Sequence, residues 1–356
     1  MIWMLFACGS LESEPIYKAE QYSTQNTQIM STSVTGGLGW NYPQTSILPL
    51  EFNSNDEEIL KARELFTEGK DLDLIELLVP FVGQHPDHFV AHSLISASFF
   101  RLRDFEQAAR AAQKVIELNP TGLTYANYAI TLQFLGYPEK SLAQYKKALT
   151  YDKKSFLVLR NMASLNYVLK DLPQAAYYLE EMIRADPDDS YAYVALGQVL
   201  VEQKKYAEAE HVYRFRLKEV GLMSPQEQRE AGGLLLDLPL ALGRVCLLQG
   251  KREEAKKWLN KTIEYSNVQE GTWTSEQNYS LEAKRTLAGM VLEEGNTEAA
   301  RTLISEGLEE VDRLLKERII PDGDGSILKR QLLEMKQMIK EQSAGLQPQP
   351  PQQPPQ

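Results

Sequence analysis

Residues 156–187 read FLVLRNMASLNYVLKDLPQAAYYLEEMIRADP, and residues 190–220 read SYAYVALGQVLVEQKKYAEAEHVYRFRLKEV. Laid one over the other, Ala163 falls on Gly197 and Ala175 on Ala209, each pair twelve positions apart. Both stretches carry two apolar runs at helical spacing, parted by a short polar break at Lys170-Asp171 or Lys204-Lys205. Helices pack with their axes roughly 8–10 Å apart, depending on the side chains between them. A small residue on each helix permits the near end of that range. The paired beat therefore predicts helical hairpins pinched together at these positions.

The beat continues in both directions. Ala62–Leu74, Ser96–Ala108 and Ala129–Ser141 come before it, and Gly243–Ala255 and Ala288–Ala300 come after. Of the fourteen paired positions, only Leu74 is not Gly, Ala or Ser. Ser141, Ala175 and Ala209 recur at intervals of 34 residues, a period that belongs to stacked helix–turn–helix arrays. A lone hairpin buries too few apolar side chains to offset the ordering of its chain, at about 1–2 kcal/mol per residue. A stack can, provided an end helix closes its last face.

Followed position by position, the units are similar to one another in more than small residues. Tyr193, Leu196-Gly197, Leu200, Ala209 and Tyr213 form one set. Leu242-Gly243, Cys246, Ala255 and Leu259 repeat it, as do Leu287-Ala288, Val291, Ala300 and Ile304. A weaker first copy has Ala62, Leu65, Gly69, Leu74, Leu78, Phe81 and Pro86. This series resembles the tetratricopeptide repeat, whose pattern runs W-x2-L-G-x2-Y, then A-x3-F, then P. The resemblance implies an all-α fold: a right-handed α-solenoid of about seven helix–turn–helix units with a C-terminal capping helix. It also implies that the first helix of each unit lines a concave groove that holds a protein or peptide segment.

By that resemblance the groove contacts come from the second, fifth, sixth, ninth, twelfth and thirteenth helix positions. Here those are Asn127, Ile130, Gln133 and Phe134 in one unit and Arg160, Asn161, Ser164 and Tyr167 in the next. Tyr191, Val194 and Gln198 follow, then Arg244. Members that clamp a terminal carboxylate use Lys and Asn at several such places. Only Arg160 with Asn127 and Asn161 comes near that set, so the mixture of amides and aromatics favours an extended or helical segment.

Composition narrows the classes further. The 356 residues are 43% hydrophobic and 24% charged, as in an ordinary globular chain, and the formal net charge of −11 argues against nucleic acid as a partner. Past the first residues there is no apolar stretch of the ~18–20 residues that a membrane helix requires. Two cysteines, Cys8 and Cys246, do not make a disulfide framework.

Residues 1–8 read MIWMLFAC. The ending Leu5-Phe6-Ala7-Cys8 is similar to the lipobox of bacterial lipoproteins, which implies lipidation of Cys8. The run is short and lacks a basic front end, so that reading expects a start codon upstream of Met1. Gly9 after the cysteine is compatible with transfer to an outer membrane, placing the chain in the bacterial envelope facing the periplasm. Residues 9–54 are rich in Ser, Thr, Gln and Asn and read as a tether, with Trp40 and Tyr42 as points that pin it to the array or as part of an unpacked loop. The array occupies residues 55–320, the capping helix 326–343, and a disordered Pro/Gln tail 344–356.

Two unit spacings exceed the period. The first insertion carries Ser224-Pro225 with Glu227, a helix-start signature; it predicts a helix extended at its front, running through Ala231 and bent at Pro239. The second, Gly271–Tyr279, reads as a longer loop. Asp322-Gly323-Asp324-Gly325 reads as a turn before Ser326 caps a helix with Leu328, Leu332, Met335 and Ile339 on one stripe.

No constellation favours an enzyme or a cofactor. His85, His88 and His92 admit a metal site, but no Glu follows His88, and His92 falls on an aromatic core position. They read as a helix start with one packing histidine. The Asp322–Ser326 stretch lacks the loop length and final Glu of a calcium hand, and Cys246 reads as core. The expectation is a non-enzymatic interaction scaffold. Similar lipoproteins help assemble the secretin of type IV pili or position cell-wall enzymes. A cytoplasmic adaptor or chaperone-like array is the alternative, and a metal-dependent hydrolase using the histidines a remote one.

Overall fold

The computed structural model describes residues 56–222, 234–268, 279–317 and 322–345. Among these residues there are fifteen helices and no strand. Eight come first: α1 Glu57–Thr67, α2 Asp71–Gln84, α3 Phe89–Arg101, α4 Phe105–Leu118, α5 Gly122–Phe134, α6 Pro138–Tyr151, α7 Phe156–Val168 and α8 Leu172–Ala185. Seven follow: α9 Ser190–Glu202, α10 Tyr206–Leu222, α11 Leu234–Leu248, α12 Arg252–Val268, α13 Tyr279–Glu293, α14 Thr297–Lys316 and α15 Asp322–Gly345. The fold is an all-α solenoid. It divides into two compact units, parted in the sequence between Ala185 and Asp186.

In the first unit, α1/α2, α3/α4, α5/α6 and α7/α8 are hairpins, and each second helix also packs on the first helix of the next hairpin. In the second unit the hairpins are α9/α10, α11/α12 and α13/α14, and α15 packs against α14. All fourteen positions of the pairs read from the sequence are buried.

The contact is close enough to exclude even a methyl group at two sites. A Cβ on Gly197 would lie 2.2 Å from Cε1 of Tyr213, and one on Gly243 would lie 2.8 Å from Cδ2 of Leu259. Where the small residue is serine, it ties the two helices instead. Ser96 Oγ donates to the Ala108 carbonyl at 2.9 Å, and Ser141 Oγ to the Ala129 carbonyl at 2.7 Å. Both hydroxyls therefore satisfy themselves across the pinch without widening it.

One turn geometry closes all seven hairpins. Gly69, Arg103, Gly136, Lys170, Lys204, Gly250 and Gly295 hold φ between 61° and 81°. In each turn the next N–H reaches back five residues to a helix carbonyl at 2.8–2.9 Å, as Asp104 does to Phe99 and Lys251 to Cys246. The residue after the left-handed one then starts the second helix. Asp104 Oδ1 accepts from the Gln107 N–H at 3.1 Å, and Asn296 Oδ1 from that of Ala299 at 3.0 Å.

The insertions act partly by lengthening second helices. α10 and α12 have 17 residues each, where α4, α6 and α8 have 14. α11 carries Pro239 inside its helical span. The Ser224-Pro225-Glu227 signature, Ala231 and most of the expected loop at Gly271–Tyr279 lie outside the described residues, as do Cys8, the tether and the Pro/Gln tail. Tyr279 itself belongs to α13.

One expectation is corrected. The stretch Asp322–Gly325 is not a turn ahead of a cap at Ser326, because the helical backbone already begins at Asp322. The low helix propensity of its glycines is what the turn reading rested on. Leu332 and Ile339, with Met335 beside them, join Ile304, Leu308, Val311 and Leu314 of α14 in one apolar cluster. Gly307 makes room for this, since a Cβ there would meet Leu332 at 3.4 Å.

Candidate protein-binding faces

The first helices carry every groove position expected from the sequence, and the structure sorts these residues by exposure. In the first unit Asn127, Ile130, Gln133, Asn161 and Ser164 are buried, whereas Phe134, Arg160 and Tyr167 are half-buried. In the second unit Val194 is buried, and Tyr191, Gln198 and Arg244 are half-buried. None of Asn127, Arg160, Tyr167, Tyr191 and Gln198 is without a partner.

In the first unit the buried polar groups cluster around Asn161. This residue has no exposed surface, its amide makes no well-formed hydrogen bond, and the Tyr145 hydroxyl is close enough to interact with it. Tyr145, equally buried, donates at 3.5 Å to Oε1 of Gln133, and burial pushes its hydroxyl pKa well up. Asn166 satisfies its Nδ2 on the Met162 carbonyl at 2.7 Å. Toward the C-terminal ends of the first helices lies an aromatic group of which the sequence pattern flagged only Phe134. The Phe100, Phe105 and Phe134 rings meet pairwise with centroids 5.1–5.2 Å apart. Beside it, Arg101 lies 3.6 Å over the Phe66 ring and donates to the Phe66 carbonyl and to Asp71. The signal for this cluster was present in sequence as aromatics recurring at one repeat position, Phe66, Phe100 and, one place on, Phe134.

The second unit is charged instead. Arg244 on α11 is not a free cation, because its Nη2 lies 2.5 Å from Oε1 of Glu282 on α13. Arg285 also donates to Glu282. Burial opposes the charge on Glu282, but the Arg285 and Arg244 guanidiniums hold its carboxyl below the ordinary range. Asp237, at the second position of the same repeat on α11, behaves the opposite way. Burial pushes its carboxyl up to about 7, against a hydrogen bond from Tyr279 and the charge of Arg244. Its Oδ1 has no partner. Neither Asp237 nor Glu282 stood among the expected groove residues, although both occupy groove positions of their repeats.

Away from these faces, Glu210, Cys246 and Glu254 bring three ligand-type atoms within 4.8 Å of one another. The surroundings argue against a metal there. Glu210 accepts from Lys251 Nζ and Arg214 Nε at 2.7 Å and from Gln249 at 2.8 Å, and Arg214 also binds Glu254. Despite burial, these donors hold the Glu210 carboxyl down at about 2, while burial and the two carboxylates push the Cys246 thiol up to about 11. The cluster is an ion-pair knot tying α10, α11 and α12. The histidines are likewise committed. His88 Nδ1 accepts from the Ala91 N–H at 3.2 Å and its Nε2 meets Asp56 at 3.1 Å. His92 is buried, bonds the Pro86 carbonyl at 2.9 Å and has its pKa lowered by burial. His92 packs as a core residue at the head of α3.

Comparison with known proteins fits this architecture. Two models of the tetratricopeptide repeat match the sequence, over residues 129–190 and 169–214. Over those residues the chain carries tetratricopeptide repeats. Among solved structures, the C-terminal part of a tetratricopeptide-repeat protein from Cytophaga hutchinsonii is 17% identical, covering 70% of this chain and 94% of that one with a TM-score of 0.58. A repeat protein from Parabacteroides merdae is 14% identical over 78% of this chain and 98% of its own, with a TM-score of 0.49. Pseudomonas aeruginosa pilF is 16% identical over 65% and 96%, with a TM-score of 0.46. At these identities the likeness is one of fold. No curated protein matches this tetratricopeptide-repeat chain.

Proposed function

We propose that this repeat protein is a non-enzymatic scaffold that holds an extended segment of a partner protein against its first-helix faces, and that it does so in a bacterial envelope, anchored through a lipid on Cys8. The observation that carries the binding reading is the combination of under-satisfied buried polar groups and half-buried aromatics on the first-helix faces. Outside the first-helix faces the charges are knit to one another, as in Glu210 with Lys251 and Arg214, Arg252 with Glu293, or Lys256 with Glu294. On the first-helix faces, Asn161 and Asp237 keep buried polar atoms without a well-formed hydrogen bond, as Gln107 and Trp258 do on second helices. An unsatisfied buried polar group costs about 1–3 kcal/mol, and the amides and carbonyls of a bound chain are groups that would satisfy it. Around them Phe134, Tyr167 and Tyr191 supply half-buried aromatic surface, the residue type in which binding energy concentrates.

The test is affinity capture from native membranes with full-length protein and an Arg160→Glu, Tyr167→Ala variant. The variant should keep its helical circular dichroism and lose the captured partner. An unchanged partner profile would remove this face as the site. Mass spectrometry of the native protein tests the anchor, and an unmodified Cys8 thiol would overturn it. Within the envelope the proposed role is assembly support, as for a pilus secretin or the placing of cell-wall enzymes. Partner identity from the capture experiment decides between them.

A further inference from the structure

One edge of the first unit is basic in a chain whose net charge is −11. Residues 146–154 read KKALTYDKK, four lysines against the single carboxylate of Asp152. The last two turns of α6 present Lys146 and Lys147 to solvent, and Tyr151, Asp152, Lys153 and Lys154 follow as four successive exposed residues leading into the link to α7. The link is a formed turn. Asp152 Oδ1 accepts from the Lys154 N–H at 2.9 Å, and the Asp152 carbonyl from the Ser155 N–H at 3.3 Å. Aromatic rings are built into the same tip. Tyr151 is 54% exposed and Phe156, at the head of α7, 37%. The Tyr151 and Tyr125 rings have centroids 5.7 Å apart, and Lys147 Nζ lies 5.6 Å over the Tyr125 ring.

The neighbouring carboxylates do not cancel this charge. Glu117 near the end of α4 pairs with Lys114 at 3.7 Å, and Glu180 and Glu181 on α8 pair with Arg184. Among the described residues no carboxylate forms an ion pair with any of the four lysines. Shape then chooses the partner. Four exposed residues in a row form a tip, which cannot enclose a peptide but can meet a flat surface. Lysines with long apolar stems, interleaved with exposed aromatic rings, are the side chains that sit at the boundary of a bilayer. The acidity of the rest of the chain does not forbid this. α6 has 14 residues and is about 21 Å long. Charges at its far end therefore stand more than two Debye lengths, at about 8 Å each, from a surface that touches the tip.

We infer that the link between α6 and α7 docks on an anionic lipid bilayer, with Lys146, Lys147, Lys153 and Lys154 at the headgroups and Tyr151 and Phe156 at the boundary beneath them. A single acyl chain holds a protein to a membrane only reversibly, and a polybasic patch is one form of second signal. The tip supplies that signal and fixes which edge of the first unit faces the lipid. The inference deepens the function proposed above, on which it rests only for which membrane is met.

The test uses the full chain carrying Cys8→Ser, so that no lipid contributes and the outcome is separate from that of the anchor and of partner capture. Vesicles of phosphatidylcholine alone measure what the apolar N-terminal residues contribute, and vesicles of phosphatidylglycerol and phosphatidylcholine in equal parts add the charge. The chain should sediment with the second far more than with the first. Lys153→Gln, Lys154→Gln should weaken binding to the anionic vesicles about 30-fold, the equivalent of about 1 kcal/mol per lysine. Lys336→Gln, Lys340→Gln, which takes the same charge from exposed positions of α15, should leave it unchanged. Equal binding to both lipids, or equal loss in both variants, overturns the inference. So does capture by poly-glutamate without vesicle binding, which would make an acidic protein segment the occupant. A fluorophore then reports the edge, the remaining cysteine, Cys246, being buried. Attached at Tyr151→Cys it should shift to the blue on anionic vesicles, and at Tyr137→Cys, at the opposite end of α6, it should not. A shift at both positions, at neither, or at 137 alone overturns the docking.

Discussion

Gly197→Ala is a single methyl group aimed at the closest approach in the second unit. In a helix interior alanine is favoured over glycine by about 1 kcal/mol, so on propensity alone the substitution stabilises. The structure reverses that sign. The added Cβ would lie 2.2 Å from Cε1 and 2.3 Å from Cζ of Tyr213, inside any tolerable contact. Tyr213 is 1% exposed, so its ring has no empty space to enter, and the hairpin itself must open. Overpacking of this kind costs about 1–3 kcal/mol or more, and with backbone separation required the upper end applies. A net loss of about 2 kcal/mol follows after the helical gain is subtracted. Repeat arrays open locally rather than all at once, so the assay is amide hydrogen exchange in α9 and α10, with α13 and α14 as reference. Protection in the first pair should fall about 30-fold, the equivalent of 2 kcal/mol. Gly221→Ala in the same unit is the control, since a Cβ there meets nothing within 4 Å. It should be neutral or mildly stabilising. Equal protection in the two variants would refute the pinched-hairpin account of the repeat.

Two further outcomes follow from particular residues. Lys204 holds φ at 61° where four of the other turns have glycine, so Lys204→Gly should raise stability by about 0.5–1 kcal/mol, the left-handed strain relieved outweighing the added chain freedom; a lowered thermal midpoint contradicts this. Asp237 has a folded pKa raised to about 7 against about 4 unfolded, so its contribution to stability is complete below about pH 4 and is lost as pH rises to about 7. Denaturant midpoints taken across that window should show a downward slope in the parent chain relative to Asp237→Asn, and identical pH profiles would show that Asp237 is ionised in the folded protein.

The hairpins were legible in the sequence because they are local. A partner twelve residues away along a helix–turn–helix is placed by the turn alone, and the smallness of Ala163 and Ala175 or of Gly197 and Ala209 states the distance directly. The left-handed turn was half legible. Gly69, Gly136, Gly250 and Gly295 announce it, whereas Arg103, Lys170 and Lys204 hide it, since the backbone bond five residues back holds those turns without glycine. The beginning of α15 at Asp322 was not legible, because Gly323 and Gly325 read locally as a turn although the backbone there is helical.

By itself, then, the sequence determined the repeat, its pairing and the family, all consequences of contacts within about one repeat length. Only the tertiary structure decided what the inner positions became. Asn161 has no solvent exposure, Arg244 is neutralised by Glu282 from 38 residues away, and Asp237 joins the same face with a raised pKa. Exposure and charge at a position depend on what lies across from it in space. Helices of different hairpins are brought together by stacking, which no spacing within one repeat records.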